Sequence, residues 1–184
     1  MAKKVGSLSI EAGLKYPWGK AKRLWNILWV LIPIIGWFAL IGYVRNIVLL
    51  IVKGNTKELP EFGKFWDNFL IGLKLFIFLI PLWVVILVLN IVPLIGPLLA
   101  FLAQVLVLPY IIIHLFVTDK FGSTFDYNRW WRVVGGNFTE YIIALVKTIV
   151  FTLVYGLLSL VLIGIPGYVF GSNIYLAEFY ARYK

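Results

Sequence analysis

Apolar residues run along this chain in stretches far longer than a globular core uses. Residues 76–117 read FIFLIPLWVVILVLNIVPLIGPLLAFLAQVLVLPYIIIHLFV, without one Asp, Glu, Lys or Arg. Crossing the hydrocarbon of a bilayer takes roughly 20 apolar residues, so the stretch predicts two spans, over residues 69–91 and 94–117. A further pair is predicted over 141–163 and 167–180. The first apolar stretch, 24–52, is broken only by Arg45.

The turns between these runs repeat. Ile32-Pro33-Ile34-Ile35-Gly36 returns sixty residues later as Val92-Pro93-Leu94-Ile95-Gly96, and a looser copy is Ile163-Gly164-Ile165-Pro166-Gly167. Pro removes a backbone donor and Gly permits a positive φ, so each motif suits an uncharged reversal of the chain. Ahead of each apolar pair lies a basic, aromatic segment: residues 14–20, 62–67 and 125–132. Trp and Tyr favour the headgroup layer, so these segments read as short interfacial helices. The predicted fold is an all-α integral membrane protein, one domain over residues 1–184. Six transmembrane helices form three hairpin repeats, about 8–53, 54–119 and 120–184, each preceded by an interfacial amphipathic segment. The first pair is short, because residues 24–52 must serve two crossings that need about 40 residues. Either the preceding basic segment enters the interface with its Lys side chains snorkelling, or the first hairpin is re-entrant.

Charge sets the orientation. Of 17 Lys and Arg, all but Arg45, Lys74 and Lys147 fall in the two ends or in the loops 53–68 and 119–140. The positive-inside rule then places both termini and both loops in the cytoplasm, in a multi-pass protein of the cell membrane. Composition agrees: 62% of the 184 residues are hydrophobic and the mean hydropathy is +0.95, against about 45–50% in soluble domains. The net charge of +9 fits anionic headgroups rather than nucleic acid, for which no binding motif is present. With no Cys, disulfides and thiolate metal sites are excluded. A cleaved signal peptide is not expected, since charged residues occupy the place of its apolar core.

Ionisable residues inside spans are the default functional candidates. Arg45, Lys74 and Lys147 are candidate contacts for an anionic lipid or ligand. Glu178 is the candidate intramembrane ion-pair partner of one of them. His114, the only histidine, lacks the further ligands a zinc site needs and reads as a helix-packing residue. No catalytic motif, cofactor loop or metal set is recognisable, so the expectation is a non-enzymatic protein without cofactors. Scaffold, accessory subunit or lipid-organising homo-oligomer is the leading role, with membrane lipids and a membrane-protein partner or second copy as partners. A small transporter or channel is the alternative, since internal repeats are common in transporters. A lipid-acting membrane enzyme comes third.

Several residues also carry a resemblance. Tyr16-Pro17-Trp18, Gly42-Tyr43 with Arg45, Gly54, Leu59-Pro60-Glu61-Phe62, Trp66, Phe69 and Gly72-Leu73-Lys74 resemble a prokaryotic, largely archaeal, multi-pass family known as domain of unknown function 4013. Phe125-Asp126 and the segment from Asn137 to Tyr141 look similar as well. The resemblance implies about six spans and a plasma-membrane location, and no activity.

Overall fold

Ser9 opens the first helix, its hydroxyl accepting from the Ala12 amide at 3.2 Å, as an N-cap does for an orphan donor. Residues 7–184 are described by a computed structural model, and all regular structure among them is helical. Helix α1 (Ile10–Lys15) carries the exposed Glu11–Lys15 pair at 2.6 Å. The hydrogen bond from the Lys15 ammonium holds the Glu11 carboxyl below the usual carboxylate range. At Tyr16-Pro17 the chain tightens into a 3-10 helix, Tyr16–Leu31, kinked at Lys20 (φ −136, ψ 73). A 3-10 helix rises about 2.0 Å per residue, and its side chains at i and i+3 stand in line. After the kink the helix therefore presents three straight ridges. Arg23, Asn26 and Trp29 face the protein: Arg23 donates to the Leu59 carbonyl and meets Glu61 at 3.4 Å. Asn26 faces the Tyr43 hydroxyl, and Trp29 stacks on Phe62. Lys22, Trp25, Leu28 and Leu31 form the exposed ridge.

Four helices are long and apolar enough to cross a membrane: α2 (Ile35–Val52), α3 (Phe65–Leu89), the continuous stretch Ile95–Thr118, and α7 (Phe138–Ser159). Within the third, α4 (Ile95–Leu102) and α5 (Leu108–Thr118) join through a π-helical turn, Ala103–Val107. Against the expectation of six spanning helices, four segments have the length and hydropathy to cross. The other two segments are the short 3-10 helix and a pair, α8 (Gly164–Gly171) and α9 (Ile174–Tyr183), separated by Ser172 and Asn173. Ser and Asn compete with the helical backbone for hydrogen bonds and favour such breaks. The expected interfacial helices also differ. Phe65-Trp66-Asp67 is the first turn of α3 rather than a helix of its own, and Tyr16 and Pro17 are buried. The third becomes α6 (Tyr127–Trp130) and a π-helical turn, Trp131–Gly135.

The reversals share one geometry. Ile34 (φ 65, ψ −64) and Leu94 (φ 66, ψ −59) sit at the tips of the first two, and Leu162 (φ 63) at the tip of the third. In each, the next amide bonds back across the tip: Ile35 to Pro33, Ile95 to Pro93 and Ile163 to Val161, at 2.7–2.8 Å. These are tight γ-turns, strained for a branched side chain. The third reversal therefore lies at Val161–Ile163, ahead of the Ile163–Gly167 motif. Pro166 instead occupies the first turn of α8, where a missing N–H costs nothing.

Helices α2 and α3 make the closest contact. A Cβ on Gly72 would lie 1.8 Å from the Phe38 oxygen, and one on Gly42 would lie 2.1 Å from the Asn68 oxygen. Asn46 donates to Asn68 at 2.8 Å beside them. The pairing is offset. Phe38 meets Phe76, which lies 13 residues before Leu89, while Ile34 lies four residues before Phe38. The first reversal thus falls nine residues short of the end of α3, about 14 Å at 1.5 Å per residue. The first hairpin is the shallower one.

Tyrosines fill the core near the basic end. Tyr155 and Tyr175 donate to the Leu14 and Ile10 carbonyls at 2.6 and 2.8 Å, tying α1 to the third hairpin. Tyr141 and the Trp130 ring N–H both donate to the Leu106 carbonyl, at 2.9 and 3.1 Å. Leu106 lies in the π-helical turn just before Pro109. Pro109 lacks the donor that would bond the Val105 carbonyl in a regular turn, and in the same irregular stretch the Leu106 carbonyl accepts from α7 and α6.

Candidate functional site

The ionisable side chains inside the helices gather at one end of the bundle, on α2, α3, α5, α7 and α9. Arg45, from α2, donates through Nε to the Phe116 carbonyl at 3.0 Å, and its Nη2 lies 3.5 Å from Asp119 Oδ2. Lys74, from α3, reaches the same oxygen at 2.7 Å. Asp119 follows α5 in the left-handed region (φ 56, ψ 31), a conformation Asp tolerates better than most residues. This C-cap turns its carboxylate back between the two cations. Two positive charges against one negative leave the cluster net positive, and Asp119 Oδ1 is buried without a hydrogen-bond partner.

Beside it lies a chain of ring and carboxylate groups. The buried His114 bonds through Nδ1 to the Tyr180 hydroxyl at 2.8 Å, and its Nε2 lies 3.4 Å from Asp126 Oδ2. A neutral imidazole carrying its proton on Nε2 satisfies both neighbours. Asp126 also caps α6 by accepting from the Arg129 amide at 3.1 Å. Tyr110 stacks against the imidazole. An Asp–His–hydroxyl series resembles a nucleophile with its base and orienter. Here the hydroxyl is a phenol that is 2% exposed, as is His114. A substrate has no approach to it. The arrangement locks α5 to α9 and to the 119–137 loop.

Glu178 pairs with Arg182 one turn along α9, Arg182 Nε lying 2.7 Å from Oε1 and Nη2 2.9 Å from Oε2. Lys147 donates to the Leu8 carbonyl at 2.6 Å. Of the four predicted site residues, Arg45 and Lys74 thus come together, on Asp119. Lys147 is spent on the N-terminal segment, though its charge is felt by Glu178. Glu178 is bonded to Arg182 rather than to Arg45, Lys74 or Lys147, because the i, i+4 spacing puts Arg182 on the same face of one helix. Accordingly, a double-mutant cycle in unfolding experiments is expected to find coupling between Glu178→Gln and Arg182→Met and none between Glu178→Gln and Arg45→Met; the reverse pattern would refute the pairing.

All eight Asp and Glu are engaged. Glu11, Glu58 and Glu61 pair with Lys15, Lys20 and Arg23. Asp67 and Glu140 lie in the first turns of α3 and α7, where the helix dipole favours them. By contrast Lys22, Lys53, Lys57, Lys64, Lys120 and Arg132 enter no ion pair among the described residues. Exposed tryptophans accompany them: Trp18, Trp25, Trp66 and Trp131. Arg132 lines a shallow depression of about 480 Å³ with Trp130, Trp131 and Phe138. Among the described residues, no group of three or more His, Cys, Asp or Glu could hold a metal ion.

Comparison with curated proteins and with solved structures finds no match. Residues 26–164 match the family described as protein of unknown function (DUF4013). This match takes in the α2–α3 contact, Arg45, Lys74, Asp119 and His114, and runs to the third reversal. The chain belongs to that family.

Proposed function

We propose that this protein acts without catalysis, as a multi-pass membrane scaffold that organises anionic lipid around its basic end. The observation that carries the reading is the division of charge. Every acid lies in an ion pair, a cap or a helix N-terminus, while among the described residues the exposed Lys22, Lys53, Lys57, Lys64, Lys120, Arg132 and Lys184 enter no ion pair, with Trp25, Trp66 and Trp131 close in sequence to three of them. Cations near a bilayer surface attract anionic headgroups at about 1 kcal/mol each, and Trp rings settle at the same depth. In this reading both termini and both charged loops lie on the cytoplasmic side of the cell membrane. The three reversals, with no charged residue in any of them, point away from it. The three hairpins form a repeat, and the first of them, whose reversal falls short of the end of α3, is re-entrant.

The Arg45–Lys74–Asp119 cluster takes a structural part, closing Arg45 on a carbonyl and a carboxylate. That arrangement gives a transport reading little support, since a conducting site needs charges that line a passage.

The test is native mass spectrometry of the full chain released from bilayers of phosphatidylcholine and phosphatidylglycerol in equal amounts. Phosphatidylglycerol is expected to be retained in preference, and less so in a variant with Lys53, Lys57 and Lys64 changed to Gln. Equal retention of the two lipids would overturn the reading. So would solute flux through proteoliposomes that Arg45→Ala abolishes.

A further inference from the structure

The exposed ridge of the 3-10 helix borders an apolar groove of about 560 Å³, inside the ~300–1,000 Å³ range of ligand clefts. One wall is the helix itself. Ala21, Leu24 and Ile27 stand on one ridge, and Trp25 and Leu28 on the next. The other wall is the third hairpin, with Leu162, Ile163 and Pro166. Because 3-10 side chains line up at i and i+3, the groove runs straight along the helix instead of winding around it. An α-helix of the same sequence would carry these residues around its surface.

The ends of the groove differ. Leu162, at the tip of the third reversal, is 73% exposed and surrounded by uncharged residues. At the other end the Trp25–Leu28 ridge continues one step to Lys22. Its basic neighbours are already engaged, Lys20 with Glu58 and Arg23 with the Leu59 carbonyl and Glu61. Lys22 is exposed and enters no ion pair among the described residues. Trp18, on the same end, donates its ring N–H to the Tyr155 hydroxyl at 2.7 Å, which fixes the wall there. A straight apolar slot whose ridge continues to Lys22, unpaired among the described residues, matches a molecule with one anionic head and a hydrocarbon tail.

We propose that this groove is a specific site for one anionic lipid, a hydrocarbon chain lying between the 3-10 helix and α8 and its phosphate group meeting Lys22. The proposal rests on the lipid-organising reading above and names the place where that reading becomes a defined site. The Trp25 ring, 71% exposed at the mouth, lies beside the head-to-chain junction, where an amphipathic ring is best placed. Loss of Lys22 removes one near-surface cation, which corresponds to about a five-fold weaker retention.

The experiment uses the full chain in bilayers of phosphatidylcholine and phosphatidylglycerol, read by native mass spectrometry as lipids retained per chain. Ala21→Trp fills the groove from an exposed position. Lys22→Gln removes the charge and leaves the groove open, and it touches no packed residue. Ala21→Trp is expected to remove one tightly held phosphatidylglycerol. Lys22→Gln is expected to weaken that same molecule about five-fold while phosphatidylcholine retention stays as in the parent chain. If both variants retain phosphatidylglycerol as the parent does, the groove is not the site, although the broader reading stands. A loss of both lipids in equal measure from Ala21→Trp, with Lys22→Gln silent, would refute the anionic headgroup. A parent chain with no preference for phosphatidylglycerol overturns this proposal and the broader reading together.

Discussion

Gly72→Val is expected to destabilise the protein by about 3 kcal/mol, the upper end of what forced overpacking usually costs. A Cβ at this position would lie 1.8 Å from the Phe38 oxygen and 2.9 Å from the Gly42 nitrogen. Both are backbone atoms, so no side chain can swing aside. The two helices must part, and that separation weakens the Phe38 contacts with Phe69 and Phe76 along with the Asn46–Asn68 bond. Small residues serve membrane helices by allowing this approach. The gain of about 0.4 kcal/mol in helix propensity on replacing Gly by Val does not offset the clash. Gly156 in α7 is the control. Nothing lies within 4 Å of a Cβ there, so Gly156→Ala should be neutral or stabilising. Denaturant unfolding in detergent micelles measures both, and equal midpoints for the two variants would refute the close contact.

Asp119→Asn should cost about 2 kcal/mol. Removing one partner of a buried ion pair typically costs about 3–5 kcal/mol. The figure is lowered here because the Asp119 and Lys74 side chains are 30% and 41% exposed. The loss arises from two cations left facing each other, so it has a distinctive remedy. Lys74→Met in the Asp119→Asn background should recover part of the stability, whereas Lys74→Met alone should lower it. A double-mutant cycle separates the two effects. Additive losses from Asp119→Asn and Lys74→Met would show that Asp119 does not hold the pair.

The sequence makes the long apolar helices and the one-sided charge visible, since both are properties of many residues taken together. It also shows the kinship of the reversals, through Pro33-Ile34-Ile35-Gly36 and Pro93-Leu94-Ile95-Gly96. Pairing is less visible. Asp119 stands next to the apolar run, but nothing in the pattern announces a left-handed C-cap that turns its carboxylate inward. Its partners lie 74 and 45 positions away along the chain. Glu178 is different: Arg182 stands four residues on, and that local spacing favours the helical pair the structure contains. The 3-10 geometry of residues 16–31 is hidden because 3-10 runs longer than three or four residues are uncommon, so an apolar stretch of this length reads as α-helix. The tyrosines mislead in another way. A Tyr near a span suggests the headgroup layer, yet Tyr43, Tyr141, Tyr155 and Tyr175 are buried and their hydroxyls bond carbonyls.

The γ-turns at Leu94 and Leu162 bond their own backbone across the tip, so the second and third hairpins close without a polar side chain. All their ionic fastening lies at the opposite end. A hairpin fastened at one end only behaves as a peg rather than a rivet, and bilayer thickness then acts on it weakly. When the hydrocarbon thins, no buried charge is dragged inward and no second anchor forces the helices to tilt. The cost is confined to the leucines, isoleucines and valines around each tip. In the membrane orientation proposed above, a protein built this way keeps its basic end seated at one surface while the opposite leaflet thickens or thins beneath its tips.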